Sequence, residues 1–83
     1  MSQDAGRQGH HPKKIFLKLD MNDRRLVNRI ESLISIFEGE DYAVFYDSSK
    51  NEYLKDRVMK CAATEFLIRE LKEILGDSSV ALR

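Results

Sequence analysis

Apolar and polar positions alternate with a period of two from Ile15 onward. Ile15, Leu17 and Leu19 fall on one face, and Phe16, Lys18 and Asp20 on the other, as in a half-buried strand. The period then lengthens. Leu26, Ile30, Leu33 and Phe37 recur at three- and four-residue spacing with Val27 and Ile34 beside them, which predicts a helix of about four turns with a broad apolar stripe. Asn22 or Asp23 offers an N-cap oxygen, and Gly39 stands where a left-handed residue would close the helix. Tyr42 to Tyr46 is rich in residues that suit a pleated surface and predicts a second strand. The polar run Asp47 to Glu52 has the length of a hairpin connection, returning into a weaker third strand over Tyr53 to Met59. Thr64 is placed to cap a second helix whose buried stripe is Leu67, Leu71, Ile74 and Leu75, with Ile68 at its margin. Gly76 stops that helix, and Val80 to Leu82 close as a fourth strand.

The order is β-α-β-β-α-β. Each helix has one stripe to bury, so both must cover the same face of one sheet. The expected fold is an α+β, ferredoxin-like sandwich, with two helices on one face of a four-stranded, mainly antiparallel sheet and right-handed crossovers. The first and fourth strands are expected at the centre. Residues 1–13 hold Pro12, two glycines and two histidines without apolar periodicity. They read as a disordered lead, a tag or linker, before a single domain over 14–83.

Composition narrows the function class. An apolar share of 42% and a charged share of 34% belong to a globular chain. No apolar run approaches the roughly 20 residues that span a bilayer, and the N-terminus has no apolar leader. Cys61 is the single cysteine and has no internal disulfide partner, so the expected compartment is the reducing cytoplasm. Acidic and basic side chains balance at 14 each. That balance argues against strong nonspecific binding to a phosphate backbone and favours a protein partner.

Catalytic and metal chemistry find little support. His10 and His11 are adjacent in the lead, and Cys61 has no second cysteine at zinc-motif spacing. No metal and no cofactor are expected. Asp20, Asp23, Asp41 and Asp47 all sit at predicted element ends, where a carboxylate caps helices or closes turns more often than it moves protons. Neither a nucleophile triad nor a glycine-rich phosphate cradle is present, and no enzymatic activity is expected. Lys13, Lys14, Arg24, Arg25 and Arg29 read as solvated charge, with a positive corner as the other reading.

Two surfaces carry candidate binding residues. If Ala43 and Phe45 face the helices, then Phe16, Lys18, Tyr42, Val44 and Tyr46 share the open face of the sheet. Such a face stacks bases in RNA-recognition modules, although the glycine- and aromatic-rich third-strand motif of those modules is absent. The plainer readings are a semi-exposed face or a homodimer surface. In the opposite register the tyrosines turn inward and the platform vanishes. Phe66 falls roughly 130° from the centre of the second helix's stripe. It either covers the core edge or serves as a docking anchor.

With these elements placed, the chain resembles the extreme C-terminal domain of bacterial DNA polymerase III alpha subunits. The likeness runs through the strand Phe16 to Leu19, a helix ending near Gly39, the strand Ala43 to Tyr46, and the hairpin element formed by Lys50, Tyr53 and Leu54. It continues through Leu67 to Leu71, Ile74 to Gly76 and the terminal valine Val80. It covers essentially residues 14–83. Where the family often has an aromatic residue, a valine and an Asn- or Asp-Pro before the second helix, this chain reads Lys60, Cys61, Ala62, Ala63 and Thr64. Phe66 stands where a polar residue is common.

The resemblance implies a noncatalytic accessory module, since the polymerase's metal-binding aspartates lie in other domains. Its implied partners are a replisome protein such as the clamp-loader tau subunit, or neighbouring DNA. Docking anchors are then expected among Phe66, Tyr42 and Tyr46. The alternative is single-stranded nucleic-acid binding through Phe16, Lys18, Tyr42 and Tyr46. A third possibility is a dimeric small-ligand regulatory domain of the same topology.

Overall fold

The computed structural model describes residues 12–83. The elements follow in order as β1 (Lys14–Leu19), α1 (Arg24–Ile36), β2 (Asp41–Asp47), β3 (Glu52–Cys61), α2 (Glu65–Leu75), a single 3-10 turn (Asp77–Ser79) and β4 (Val80–Leu82). This is the expected α+β sandwich of ferredoxin-like β-α-β-β-α-β order, built on a four-stranded mixed sheet arranged β3-β2-β1-β4. His10 and His11, and most of the predicted lead, lie outside the described residues. Lys13 already belongs to the fold, because its N–H donates to Asp41 Oδ1 at 2.8 Å and its carbonyl accepts from Tyr42 at 2.9 Å.

The strand order corrects one expectation. β4 lies at an edge, and β1 and β2 hold the centre. β1 pairs directly and in parallel with β2, while the β1–β4 and β2–β3 ladders are antiparallel. The physical reason lies in β4 itself. It is three residues long, and only Val80 is buried, with Ala81 and Leu82 exposed, so it cannot cover a central position on both sides.

The core is the layer between sheet and helices. Ile15, Leu17, Leu19, Ala43, Phe45 and Val80 from the strands meet Val27, Ile30 and Ile34 of α1 and Leu67 and Leu71 of α2. Full burial of each large side chain contributes about 1.5–3 kcal/mol. The α1 stripe is turned from its expected centre. Val27, Ile30 and Ile34 are buried, whereas Leu26, Leu33 and Phe37 are only partly so. Asp23 is the cap of α1, accepting from the Leu26 N–H at 3.2 Å, and Thr64 caps α2 through the Leu67 N–H at 3.1 Å.

The two punctuating glycines work differently from each other. Gly76 has φ +96° and ψ 150°, a region that essentially only glycine occupies. Gly39 was expected to be left-handed and is not; positive φ among the described glycines occurs at Gly76 alone. A Cβ at Gly39 would stand 2.7 Å from both Ala62 Cα and Ala62 Cβ. Its role is close approach, where the chain entering β2 passes the chain leaving β3. The Ala62 N–H donates to the Phe37 carbonyl at 2.7 Å across the same junction.

Strand β3 is longer than predicted and broken by a wide bulge. Leu54 pairs with Phe45 and Met59 with Ala43, so Lys55, Asp56, Arg57 and Val58 all stand opposite Val44. Arg57 in this bulge ion-pairs with Glu31 of α1. The extra residues broke the alternation that sequence reading relied on.

Candidate functional site

The face of the sheet turned away from the helices is built by the ladder registers. Directly paired residues share a face. Lys14, Phe16 and Lys18 of β1 pair with Tyr42, Val44 and Tyr46 of β2. Tyr46 in turn pairs with Tyr53, Tyr42 with Lys60, and Phe16 with Ala81. Ile15, Leu17, Ala43 and Phe45 are buried on the other side, so the register that turns the tyrosines outward is the one adopted. Neither Asp nor Glu occupies any of these paired open-face positions.

Three rings on this face form one cluster. Phe16 and Tyr53 meet edge to face with centroids 5.8 Å apart, and Tyr46 and Tyr53 do so at 4.8 Å. The Tyr46 hydroxyl donates to Asn51 Oδ1 at 3.4 Å, tying the ring to the hairpin loop. Asn51 itself has φ +55°, a left-handed conformation that asparagine tolerates. Lys18 Nζ lies 5.9 Å from the Tyr46 ring centre, and the Arg83 guanidinium 5.8 Å from that of Phe16. Contacts of this kind at exposed sites are worth only about 0.5–1 kcal/mol, so a ligand can displace them.

The Phe16–Tyr53 pair divides the face into two hollows. One, of about 440 Å³, lies among Lys14, Tyr42, Val44, Lys55 and Val58; the bulge supplies its last two residues. The other, of about 460 Å³, lies among Lys18, Tyr46 and Ala81. Phe16 and Tyr53 line both. Comparison with protein-family models, curated proteins and solved structures finds no match. The surface presents three rings packed edge to face, with Lys18 and Arg83 at their rim.

Of the residues singled out from sequence, Phe16, Lys18, Tyr42 and Tyr46 are brought together here. Phe66 is not. It lies on α2 in the opposite layer, 56% exposed, with its ring 5.8 Å from Phe37. The three expected docking anchors therefore do not form one surface. The sequence reading missed Tyr53, Lys55 and Arg83 as members of the site. Tyr53 could have been found by counting outward from the hairpin: once Asp47 pairs with Glu52, Tyr53 must face Tyr46. Lys14 enters the sequence reading only as one of five basic residues read as solvated charge, with a positive corner as the alternative. That corner does not form: Lys14 opens β1, whereas Arg24 and Arg25 follow β1 at its far end.

The four aspartates at element ends are engaged with backbone N–H groups. Asp20 accepts from Asn22 at 2.9 Å and Asp23 caps α1. Asp41 joins Lys13 to the Ala63 N–H, the latter at 3.0 Å. Asp47 is buried and accepts at one oxygen from the Ser49 hydroxyl at 2.8 Å, the Ser49 N–H at 3.0 Å and the Met21 N–H at 3.3 Å. The Ser49 hydroxyl is the main influence holding this carboxyl below its ordinary pKa. Burial opposes it, and the two N–H groups and the Lys50 charge add to it. The Cys61 thiol is pushed up by burial and, secondarily, by the Asp41 charge. Among the described residues there is no group of His, Cys, Asp or Glu that could hold a metal ion, and no helix long and apolar enough to cross a membrane.

Proposed function

We propose that this chain is a noncatalytic binding module of a replicative DNA polymerase III alpha subunit, and that it holds single-stranded nucleic acid on its open sheet face. The observation that carries the binding assignment is the cluster of Phe16, Tyr46 and Tyr53 with Lys14, Lys18, Lys55 and Arg83 around it, at strand positions free of carboxylates. Bases stack on such rings without regard to sequence, and the cations track the backbone. The placement in a polymerase rests on the resemblance of residues 14–83. The balanced overall charge does not oppose the reading, because Lys14, Lys18, Lys55 and Arg83 gather at this face, whose paired strand positions carry no carboxylate.

The test is a proton–nitrogen NMR titration against a single-stranded oligonucleotide at low and moderate salt. Salt-sensitive shifts should cluster on Phe16, Lys18, Tyr46 and Tyr53. A silent spectrum at low salt would remove the strand-binding assignment.

A second reading draws on Phe66. An exposed phenylalanine beside Phe37, next in sequence to Ile36 at 71% exposure, has the character of a protein-docking anchor. The clamp-loader tau subunit is the partner that the polymerase resemblance suggests. Phe66→Ala should then weaken capture of that subunit without unfolding the domain, and unchanged capture by the folded variant would dismiss it.

A further inference from the structure

We infer that the open sheet face seats two successive bases, one on each side of the Phe16–Tyr53 ridge, and that the site ends there. The inference rests on the strand-binding assignment above and specifies its footprint. The two hollows have nearly equal volumes, about 440 and 460 Å³, and share the ridge as a common wall. Each has its own second aromatic residue, Tyr42 in one and Tyr46 in the other, and its own lysines, Lys14 with Lys55 in one and Lys18 in the other. A planar base entering either hollow meets a ring of the ridge on one side and a tyrosine on the sheet floor.

The cations fit the same count. Lys14 and Lys18 are four residues apart on β1, about 13 Å along an extended strand, a span that an extended single strand covers in two nucleotides. At present Lys18 lies against Tyr46 and Arg83 against Phe16. A base that takes over the ring releases each cation toward the phosphate beside it, so stacking and charge pairing are made in one movement. Past this pair of hollows the stacking surface stops. On one side the face runs into Lys60, whose Nζ lies 4.0 Å from the exposed carboxylate of Glu40. On the other it runs into the hairpin loop of Ser48 to Asn51.

The experiment keeps the phosphates constant and varies the bases. The 83-residue chain is titrated with octanucleotides that are abasic except for one, two or three adjacent thymines, alongside a fully abasic strand and an all-thymine strand. Each of the first two bases should tighten binding on the order of tenfold, and a third should change it less than twofold. Phe16→Ala should abolish the gain from both bases, whereas Tyr46→Ala should abolish only one. Phe16→Leu, which keeps apolar volume without a ring, should behave as Phe16→Ala does if stacking is the cause.

A single base giving full affinity, or a third and fourth continuing to add tenfold steps, would overturn the two-base footprint while leaving strand binding intact. Equal affinity for abasic and thymine strands would overturn strand recognition by stacking altogether, and this inference with it.

Discussion

The salt dependence of strand binding follows from the positions of four cations. Lys14 and Lys55 border one hollow and Lys18 the other, while Arg83 lies over Phe16. If each neutralises one phosphate of an octanucleotide, log K should fall against log salt with a slope of about −2.8, from roughly −0.7 per phosphate on a single strand. Between about 50 and 200 mM salt, that slope is a loss of roughly 50-fold in affinity. Lys18→Gln should flatten the slope by about 0.7, as should Lys14→Gln, whereas Tyr53→Ala should lower affinity at every salt concentration and leave the slope unchanged. Fluorescence anisotropy of an end-labelled oligonucleotide over a salt series reads all three. A wild-type slope shallower than about −1, or Lys18→Gln and Lys14→Gln slopes equal to it, would refute the assignment of these cations to phosphates.

The remaining predictions concern the frame that holds this face. Gly39→Ala forces a Cβ to 2.7 Å from Ala62 Cα and should cost about 1–3 kcal/mol, as overpacking does. Adding Ala62→Gly should restore only part of that, because the Ala62 Cα and the Cys61 carbonyl, at 2.9 Å, remain in the way; chemical denaturation of the single and double variants checks both. Gly76→Ala meets no atom within 4 Å and should still cost about 1–3 kcal/mol, purely from its backbone conformation. Cys61 is fully buried with a raised pKa, so a thiol reagent near neutral pH should react only as fast as the domain opens, and faster in Gly39→Ala. Native reaction at the rate of a free thiol would contradict this. Asp47 has a depressed folded-state pKa, so its stabilising contribution is fully present above its unfolded pKa of about 3.9 and is lost as pH falls through the lower folded value. Acid unfolding followed by circular dichroism should show a smaller decline below about pH 4 in Asp47→Asn than in the wild type.

Local periodicity made most of the frame legible. The alternation of Ile15, Leu17 and Leu19 identified the buried face of β1, whereas the second strand left two registers open; the one adopted turns Tyr42 and Tyr46 outward beside Phe16 and Lys18. The oxygens of Asp23 and Thr64 marked both helix starts, because capping depends on neighbours three residues away. What could not be read was whatever depends on contacts between distant segments. Whether β4 is central or at an edge turns on which strand α2 delivers it beside, and no property of Val80, Ala81 and Leu82 alone names Lys14 and Arg83 as partners. Yet Lys14 and Arg83 exchange both backbone hydrogen bonds, at 2.7 and 2.8 Å. Gly39 was assigned to a helix end because a glycine after an apolar stripe has that local meaning; its actual constraint comes from Ala62, far along the chain. The bulge of β3 hid Lys55 for the same reason, since a register is a property of two strands, whereas Tyr53 lies on the hairpin side of the bulge and needed only the pairing of Asp47 with Glu52.

That division bears on function. The residues that hold the fold face the helices, and those that would hold a strand face away, on the same three β-strands. β1 alternates between Leu17 in the core and Phe16 and Lys18 on the open face, so the spacing of the rings is set by the ladder rather than by flexible loops. A site placed in this way is preorganised by rigid strands, and none of its three rings belongs to the buried core. Substitutions at Phe16, Tyr46 and Tyr53 should therefore report on binding in a domain that still folds, which the buried alternates Leu17 and Phe45 could never do.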